Sequence, residues 1–184
     1  MTLVHVDWEG PWSLSQVKAL ASQAGDNAQS CGYGVYQVYG QHRLYGPNCL
    51  LYIGKAVKQC WDVRVRQEGW AMNCDPAQVQ IYFGQLGMPR AQMPATHAAF
   101  AQLVDEVESL LIYAHGPACN SAKLHSLSAQ VRPGLRVMNW GASRDLMPEV
   151  SRERWDQTHW QHPDYDWIER HVPPPGQRLD KSPV

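Results

Sequence analysis

The sequence predicts one domain of the α/β class in its broad sense (α+β), with a small, mainly antiparallel central sheet flanked by helices. Short runs rich in Val, Ile and Tyr, typical of strands, alternate with longer runs whose apolar residues recur at helical spacing. Two predicted strands are close in sequence, which favours an antiparallel hairpin. Of the 184 residues, 44% are hydrophobic and 18% are charged, which is enough apolar material for a core.

The strands are predicted from alternation and from β-branched or aromatic residues. An alternating stretch at residues 3–6 comes first. The other predicted strands, which share this composition, are 34–39, 49–54, 77–86 and 135–140. The segment between the strands that end at Tyr39 and begin at Cys49 is rich in Gly, Pro and Asn, so we expect a turn there.

The helices are predicted from apolar spacing and from residues that begin or end them. Ser13 is placed to cap a helix that extends to Ala24. A short helix is predicted over 57–68, and the best helical pattern begins at Pro94. Gly116-Pro117 is expected to end that long helix, because Gly favours the left-handed cap and Pro cannot continue a helix.

The tail after Val150 is polar with scattered aromatic residues, and its end from Pro173 onward is expected to be frayed. His159 and His162 could share a helical face, but no Cys or third ligand stands at a suitable spacing for a metal site. Packing of the aromatic residues onto the core is therefore favoured, and stacking on an unpaired base is the alternative.

Cysteine usage and net charge restrict the class of protein. The five cysteines are odd in number and none forms a CxxC pair, which argues against a disulfide framework and a structural zinc site. No apolar run of about 20 residues and no basic, apolar leader is seen, so we expect folding in the cytosol without a membrane partner. The formal net charge is −1, so any phosphate-binding surface must be local; the candidate cations are Arg43, Lys55, Lys58, Arg64 and Arg66.

Two related tripeptides stand in neighbouring predicted strands. The first strand contains Gly34-Val35-Tyr36 and the second contains Tyr52-Ile53-Gly54. Alternation along a strand puts Tyr36 on the face of Gly34, and Tyr52 on the face of Gly54. Pairing of the two strands can therefore bring the two tyrosines side by side.

The long helix carries a carboxylate followed by a second spaced pattern. Glu108 begins a Glu-x-x-Leu-Ile segment, and Pro117 and Asn120 follow it. The helical pattern alone does not separate Glu108 from Glu106, because the two acids flank opposite edges of the apolar stripe.

Together these residues resemble the GIY-YIG nuclease family, over about residues 32–122. The two tripeptides are similar to its name-giving motifs, with Val in the first, and Arg64 follows Gly54 by ten residues, as in family members with longer spacings. The resemblance divides the chain into an N-terminal extension, a GIY-YIG-like core and a C-terminal extension, at 1–31, 32–122 and 123–184.

The resemblance implies metal-dependent hydrolysis of phosphodiester bonds, in DNA before RNA. It makes Tyr36 and Tyr52 catalytic, with Tyr36 positioning or deprotonating the attacking water. Arg64 would bind phosphate through its planar fork, and Glu108 would hold Mg²⁺ (or Mn²⁺) as a single carboxylate. The supporting residues implied are Gly34, Gly54, Lys55, Glu68 and Asn120, and the nucleic-acid contacts are Lys55, Lys58, Arg64 and Arg66.

One position departs from the family pattern, and it leaves the general base open. Many relatives have a histidine four residues after the arginine, and here that residue is Glu68. Glu68 could act as the base, Tyr36 could act alone, or Glu68 could join the metal.

The biological role also has alternatives. The chain could serve restriction, repair or a mobile element, or be a toxic effector that is delivered to other cells and held by an inhibitory protein partner. It could also be a catalytically silent nucleic-acid-binding module.

Overall fold

A mixed six-stranded sheet is the centre of the computed structural model, which describes residues 1–24, 33–57, 64–65, 78–89, 91 and 93–155. The strands are β1 Thr2–Trp12, β2 Gly34–His42, β3 Gly46–Ala56, β4 Gln80–Gly87, β5 Leu135–Gly141 and β6 Glu149–Ser151. Their order across the sheet is β3-β2-β4-β1-β5-β6. Among these strands β1 and β5 pair in parallel, and the other neighbouring pairs are antiparallel. The prediction of an α+β fold with a mainly antiparallel sheet is confirmed.

Strand β1 lies inside the sheet, between β4 and β5. The sequence predicted only a short alternating stretch at 3–6, whereas the strand has 11 residues and passes through a cis peptide bond at Gly10-Pro11. Its inward residues Val4, Val6 and Trp8 are buried, as expected for an interior strand. Strand β1 precedes residues 32–122, and β5 and β6 follow them. These three strands therefore belong to the same sheet as β2, β3 and β4, which lie inside that range.

The described helices are α1 Leu14–Ala24, α2 His97–His115 and the single turn α3 Arg152–Trp155. Ser13 caps α1 as predicted: its hydroxyl accepts from the Gln16 backbone N–H at 3.2 Å, and the Gln16 side chain accepts from the Ser13 N–H at 2.8 Å. Helix α2 begins after the N-cap Thr96 rather than at Pro94, because the Thr96 hydroxyl accepts from the Ala99 N–H at 3.2 Å.

The end of α2 follows the sequence prediction. Gly116 adopts a left-handed conformation with φ 55°, and its N–H donates to the Ile112 carbonyl at 2.9 Å. A residue with a Cβ is strained at this φ, so glycine is the residue that ends the helix most readily.

The sheet separates two apolar clusters, which we call the α2 face and the α1 face. On the α2 face, α2 packs its apolar side chains against β1, β2 and β3, including Trp8, Val35 and Ile53. On the α1 face, Tyr36 and Val38 of β2 pack with Val17 of α1. Neighbouring residues of one strand thus enter different clusters, as a period of two requires.

Some predicted boundaries are wrong. The strand predicted at 77–86 spans Gln80–Gly87, and Ala77 lies outside the described residues. In the helix predicted over 57–68, Val57 is a bend while Arg64 and Val65 are helical, and the other positions are not described. The sequence missed β6 and α3, because elements of three and four residues are too short to show a period.

Several predictions fall outside the described residues. These concern Cys31, Cys60 and Cys74, the histidines of the tail and its frayed end. Cys49 and Cys119, which are described, are both partly buried. No helix in the described part of the chain has both the length and the apolar character that a membrane span requires.

His115 joins the end of α2 to the segment between β5 and β6. Its Nδ1 lies 2.8 Å from the Leu111 carbonyl oxygen, and its Nε2 accepts from the Met147 backbone N–H at 2.8 Å. The ring is therefore neutral, with its proton on Nδ1. Burial lowers the pKa of His115 below its ordinary value of about 6.5, although the bond to Leu111 opposes this.

We expect the fold to lose stability in mild acid through His115. Because its pKa is lowered on folding, its contribution is complete above about pH 6.5 and declines as the pH falls towards the folded-state pKa. The wild type should lose up to about 1.4 kcal/mol per pH unit more than His115→Gln in that range. Urea unfolding at several pH values measures this, with His42→Gln as the control. Equal slopes for wild type and His115→Gln would contradict the assignment.

Candidate active site

Tyr36 and Tyr52 lie side by side on the α1 face. In the β2–β3 register Tyr36 is opposite Gly54, and Val38 is opposite Tyr52. The two rings stack with centroids 6.0 Å apart and an interplanar angle of 27°. Tyr36 is fully buried and Tyr52 is partly exposed. The two tripeptides therefore form one aromatic pair, as the strand alternation predicted.

The glycines of the two tripeptides leave room for different neighbours. A Cβ at Gly54 would lie 2.5 Å from both Cζ and the hydroxyl oxygen of Tyr36, and 2.7 Å from Cε1 of Tyr52. A Cβ at Gly34 would lie 2.3 Å from the carbonyl oxygen of Gly84 on β4. Gly54 is thus required by the tyrosine pair, and Gly34 by the close approach of a neighbouring strand.

Asn120 holds the second tripeptide in place from the loop after α2. Its Oδ1 accepts from the Ile53 N–H at 3.0 Å, and its Nδ2 donates to the Ile53 carbonyl at 2.9 Å. The N–H groups of Ala118 and Cys119 donate to Leu50 and Leu51 at 3.1 and 2.7 Å. Because β3 is the edge strand, these bonds satisfy backbone groups that the sheet leaves open.

Arg64 precedes a residue that packs in the cluster of the two tyrosines. It is helical and partly buried, and its neighbour Val65 is fully buried in the same cluster as Tyr36. The other predicted residues of this segment, Lys58, Arg66 and Glu68, lie outside the part of the chain that is described.

Glu108 lies in a cluster of four charges on the α2 face. Its Oε2 is 2.7 Å from the Lys123 Nζ and 3.1 Å from the Lys55 Nζ. Asp105, one turn earlier on α2, contacts both lysines, with its Oδ1 3.0 Å from the Lys123 Nζ. Among the described residues, the cluster consists of two carboxylates and two ammonium groups.

The pKa values of Lys55 and Asp105 are shifted towards their charged forms. Burial acts to lower the pKa of Lys55, but the hydrogen bond to Asp105 and the charge of Glu108 outweigh it and raise that pKa. Burial acts to raise the pKa of Asp105, but the hydrogen bonds from Lys55 and Lys123 lower it. Lys55 and Asp105 are therefore ionised at neutral pH.

Glu106 has a separate and complete set of partners. Its Oε2 accepts from Nε of Arg132 at 2.6 Å and from the Arg132 backbone N–H at 3.1 Å, while Oε1 accepts from Nη2 at 2.9 Å. Gln102 also donates to Oε1 at 3.1 Å. The carboxylate is 1% exposed, so Glu106 fixes the segment before β5 to α2. Glu108 is the carboxylate of this pair that lies beside the second tripeptide.

The candidate residues form two groups on opposite faces of the sheet. Tyr36 and Tyr52 belong to the α1 face, whereas Lys55 alternates with Gly54 and reaches Glu108 on the α2 face. The two groups approach each other along the chain at Gly54 and Lys55, near the end of β3.

Sequence reasoning missed Asp105 and Lys123. Asp105 precedes Glu108 by three residues, a spacing that places two side chains on one helix face, so it could have been found. Lys123 belongs to a loop and has a left-handed φ of 67°, and no sequence pattern indicated its contact with Glu108.

The cluster does not fit the Mg²⁺ ion expected at Glu108 while both lysines stay in place. Mg²⁺ takes oxygen ligands, and here the inward carboxylate oxygens of Glu108 and Asp105 face ammonium groups that repel a cation. Among the described residues, no group of three or more His, Cys, Asp or Glu side chains could hold a metal ion. The arrangement must open before an ion can bind.

Comparison of the chain with protein-family models, with curated proteins and with solved structures finds no match. The resemblance to GIY-YIG nucleases therefore stays a prediction from the sequence motifs.

We expect Gly54→Ala to destabilise the protein, because the new methyl group would overlap the ring of Tyr36. Overpacking of this kind lowers the free energy of unfolding by about 1–3 kcal/mol. The matched control is Gly87→Ala, where the nearest atom to the new Cβ is 4.0 Å away. Urea unfolding of both variants makes the comparison, and equal stabilities would show that the tyrosine pair does not depend on Gly54.

Proposed function

We propose that this chain is an endonuclease that hydrolyses phosphodiester bonds of nucleic acids, DNA before RNA. The observation that carries the proposal is the stacked pair of Tyr36 and Tyr52 beside Gly54. The pair lies in a hairpin whose second tripeptide is bound by Asn120 through both backbone groups of Ile53. The structure thus brings the two tripeptides and Asn120 together, whereas Glu108 lies on the opposite face of the sheet from the tyrosine pair.

Phosphodiester hydrolysis needs a positioned water and stabilisation of charge on the phosphoryl oxygens. The Tyr36 hydroxyl lies over Gly54, at the end of β3 where Lys55 follows. Tyr36 is fully buried in the structure, so the proposed reaction requires the site to open before this hydroxyl can position the attacking water. The oxygen of that water forms the new bond to phosphorus and its proton passes to the base, Tyr36 or Glu68. The bond from phosphorus to the ester oxygen breaks, and that oxygen takes up a proton from solvent.

We assign phosphate binding to Arg64 and Lys55, of which Lys55 lies on the face of the sheet opposite Tyr36. Arg64 offers a planar fork of donors suited to phosphate oxygens, and Lys55 offers a point charge. Lys55 keeps its charge at neutral pH because its neighbours raise its pKa. We also propose that Mg²⁺ or Mn²⁺ binds Glu108, where it has to compete with the lysines that contact this carboxylate.

A catalytically silent nucleic-acid-binding module is the second candidate. One observation favours it: the carboxylate assigned to the ion is contacted by two ammonium groups. In such a module the same cations would bind phosphate without bond cleavage.

Plasmid cleavage distinguishes the two candidates. With Mg²⁺ we expect the wild type to nick or cut DNA, and both EDTA and Glu108→Ala to abolish the cutting. Tyr36→Phe should lower the rate by about 100-fold or more, the usual contribution of a group that handles protons. Tyr45→Phe changes an exposed tyrosine in the β2–β3 turn and should leave the rate unchanged.

Three results would count against the proposal or part of it. Cutting that survives both EDTA and Glu108→Ala would show that the reaction does not depend on a metal ion at Glu108. Binding of DNA or RNA without cleavage of either would favour the silent module. If Glu68→Gln stops cleavage while Tyr36→Phe does not, Glu68 and not Tyr36 is the base.

A further inference from the structure

Lys123 makes the shorter of the two lysine contacts with Glu108. Its Nζ is 2.7 Å from the Glu108 Oε2, compared with 3.1 Å for the Lys55 Nζ. Its side chain is a quarter exposed and that of Glu108 is 10% exposed, so solvent screens the pair only in part. The ammonium group of Lys123 therefore occupies the position that a metal cation bound to this oxygen would occupy.

The position of Lys123 is fixed by the same loop that binds β3. Asn120 holds this loop to Ile53, and Lys123 follows three residues later with a left-handed backbone. The carboxylate of Asp105, 3.0 Å away, gives Lys123 a second contact. The contact with Glu108 is thus supported at both the backbone and the ammonium group.

The charges in the cluster cancel. Lys55 and Lys123 contribute two positive charges, and Asp105 and Glu108 contribute two negative charges. A divalent ion on Glu108 would face two ammonium groups and no net negative charge. Removal of Lys123 leaves a net charge of one negative unit and uncovers the closest side of the carboxylate.

We infer that Lys123 occupies the cation position on Glu108, so that a divalent cation binds this carboxylate only in competition with the Lys123 ammonium group. The inference rests on the proposed function, because that proposal assigns the ion to Glu108, but it concerns ion binding alone. Lys123 is then a regulatory residue of the site. When Lys123 is removed, Lys55 still has Asp105 as a partner, and its contact with Glu108, at 3.1 Å, is the longer of the two lysine contacts with that oxygen.

The test is the binding of Mn²⁺ to the full chain without nucleic acid, measured from the electron paramagnetic resonance signal of free Mn²⁺. Lys123→Met should bind Mn²⁺ about tenfold more tightly than the wild type, the size of effect that neighbours in one ion-pair network produce. Adding Glu108→Gln to Lys123→Met should abolish the gain. Arg136→Met removes a positive charge from another ion pair, with Glu149, and should leave the affinity unchanged.

Three outcomes would overturn the inference. They are equal affinity of Lys123→Met and wild type, a gain that persists with Glu108→Gln, and an equal gain in Arg136→Met. Lys123→Gln, which keeps a polar end, serves the same comparison if Lys123→Met does not fold, as judged by thermal unfolding.

The outcome is separable from that of the nuclease proposal. A chain that binds Mn²⁺ more tightly as Lys123→Met but cuts no nucleic acid would support this inference and oppose the nuclease. If the wild type cuts DNA but Lys123→Met binds Mn²⁺ no more tightly than the wild type, the result would support the nuclease and oppose this inference.

Discussion

Alternation of side chains across β2 and β3 is the constraint on which the candidate site depends. It sends Tyr36 and Tyr52 to the α1 face, and Ile53 and Lys55 to the α2 face. A slip of β3 by one residue would send Tyr52, Ile53 and Lys55 to the opposite faces while Tyr36 on β2 kept its place. The Asn120 side chain opposes such a slip, because it binds both backbone groups of Ile53 on the open edge of β3.

Two buried acids on α2 show how partners decide what a carboxylate can do. Glu106 forms a bidentate interaction with the Arg132 guanidinium and also accepts from a backbone N–H. Each of its carboxylate oxygens therefore has a fixed donor. Glu108 is matched by flexible lysines whose ammonium groups carry no preferred plane. The first arrangement is suited to a permanent structural bond, and the second to exchange of one cation for another.

Local patterns were enough to predict the elements around the site. Capping by Ser13, the end of α2 at Gly116, and the stacked tyrosines all follow from neighbours within one or two elements. The Lys123–Glu108 pair could not be predicted in this way, because it depends on where a loop returns to α2. The parallel pairing of β1 with β5 has the same cause: it joins residues 2–8 to residues 135–141, and no local period encodes that contact.

The interior position of β1 has a consequence for the order in which the chain can fold. During synthesis β1 emerges first, but its parallel neighbour β5 emerges only after α2 is complete. The hairpin of β2 and β3 needs a short loop and can form early. Pairing of β1 with β5 closes a much longer loop, and the entropic cost of closure rises slowly with loop length. One side of β1 therefore stays open until late in synthesis, and this exposed strand edge is where the nascent protein is most prone to associate with other chains.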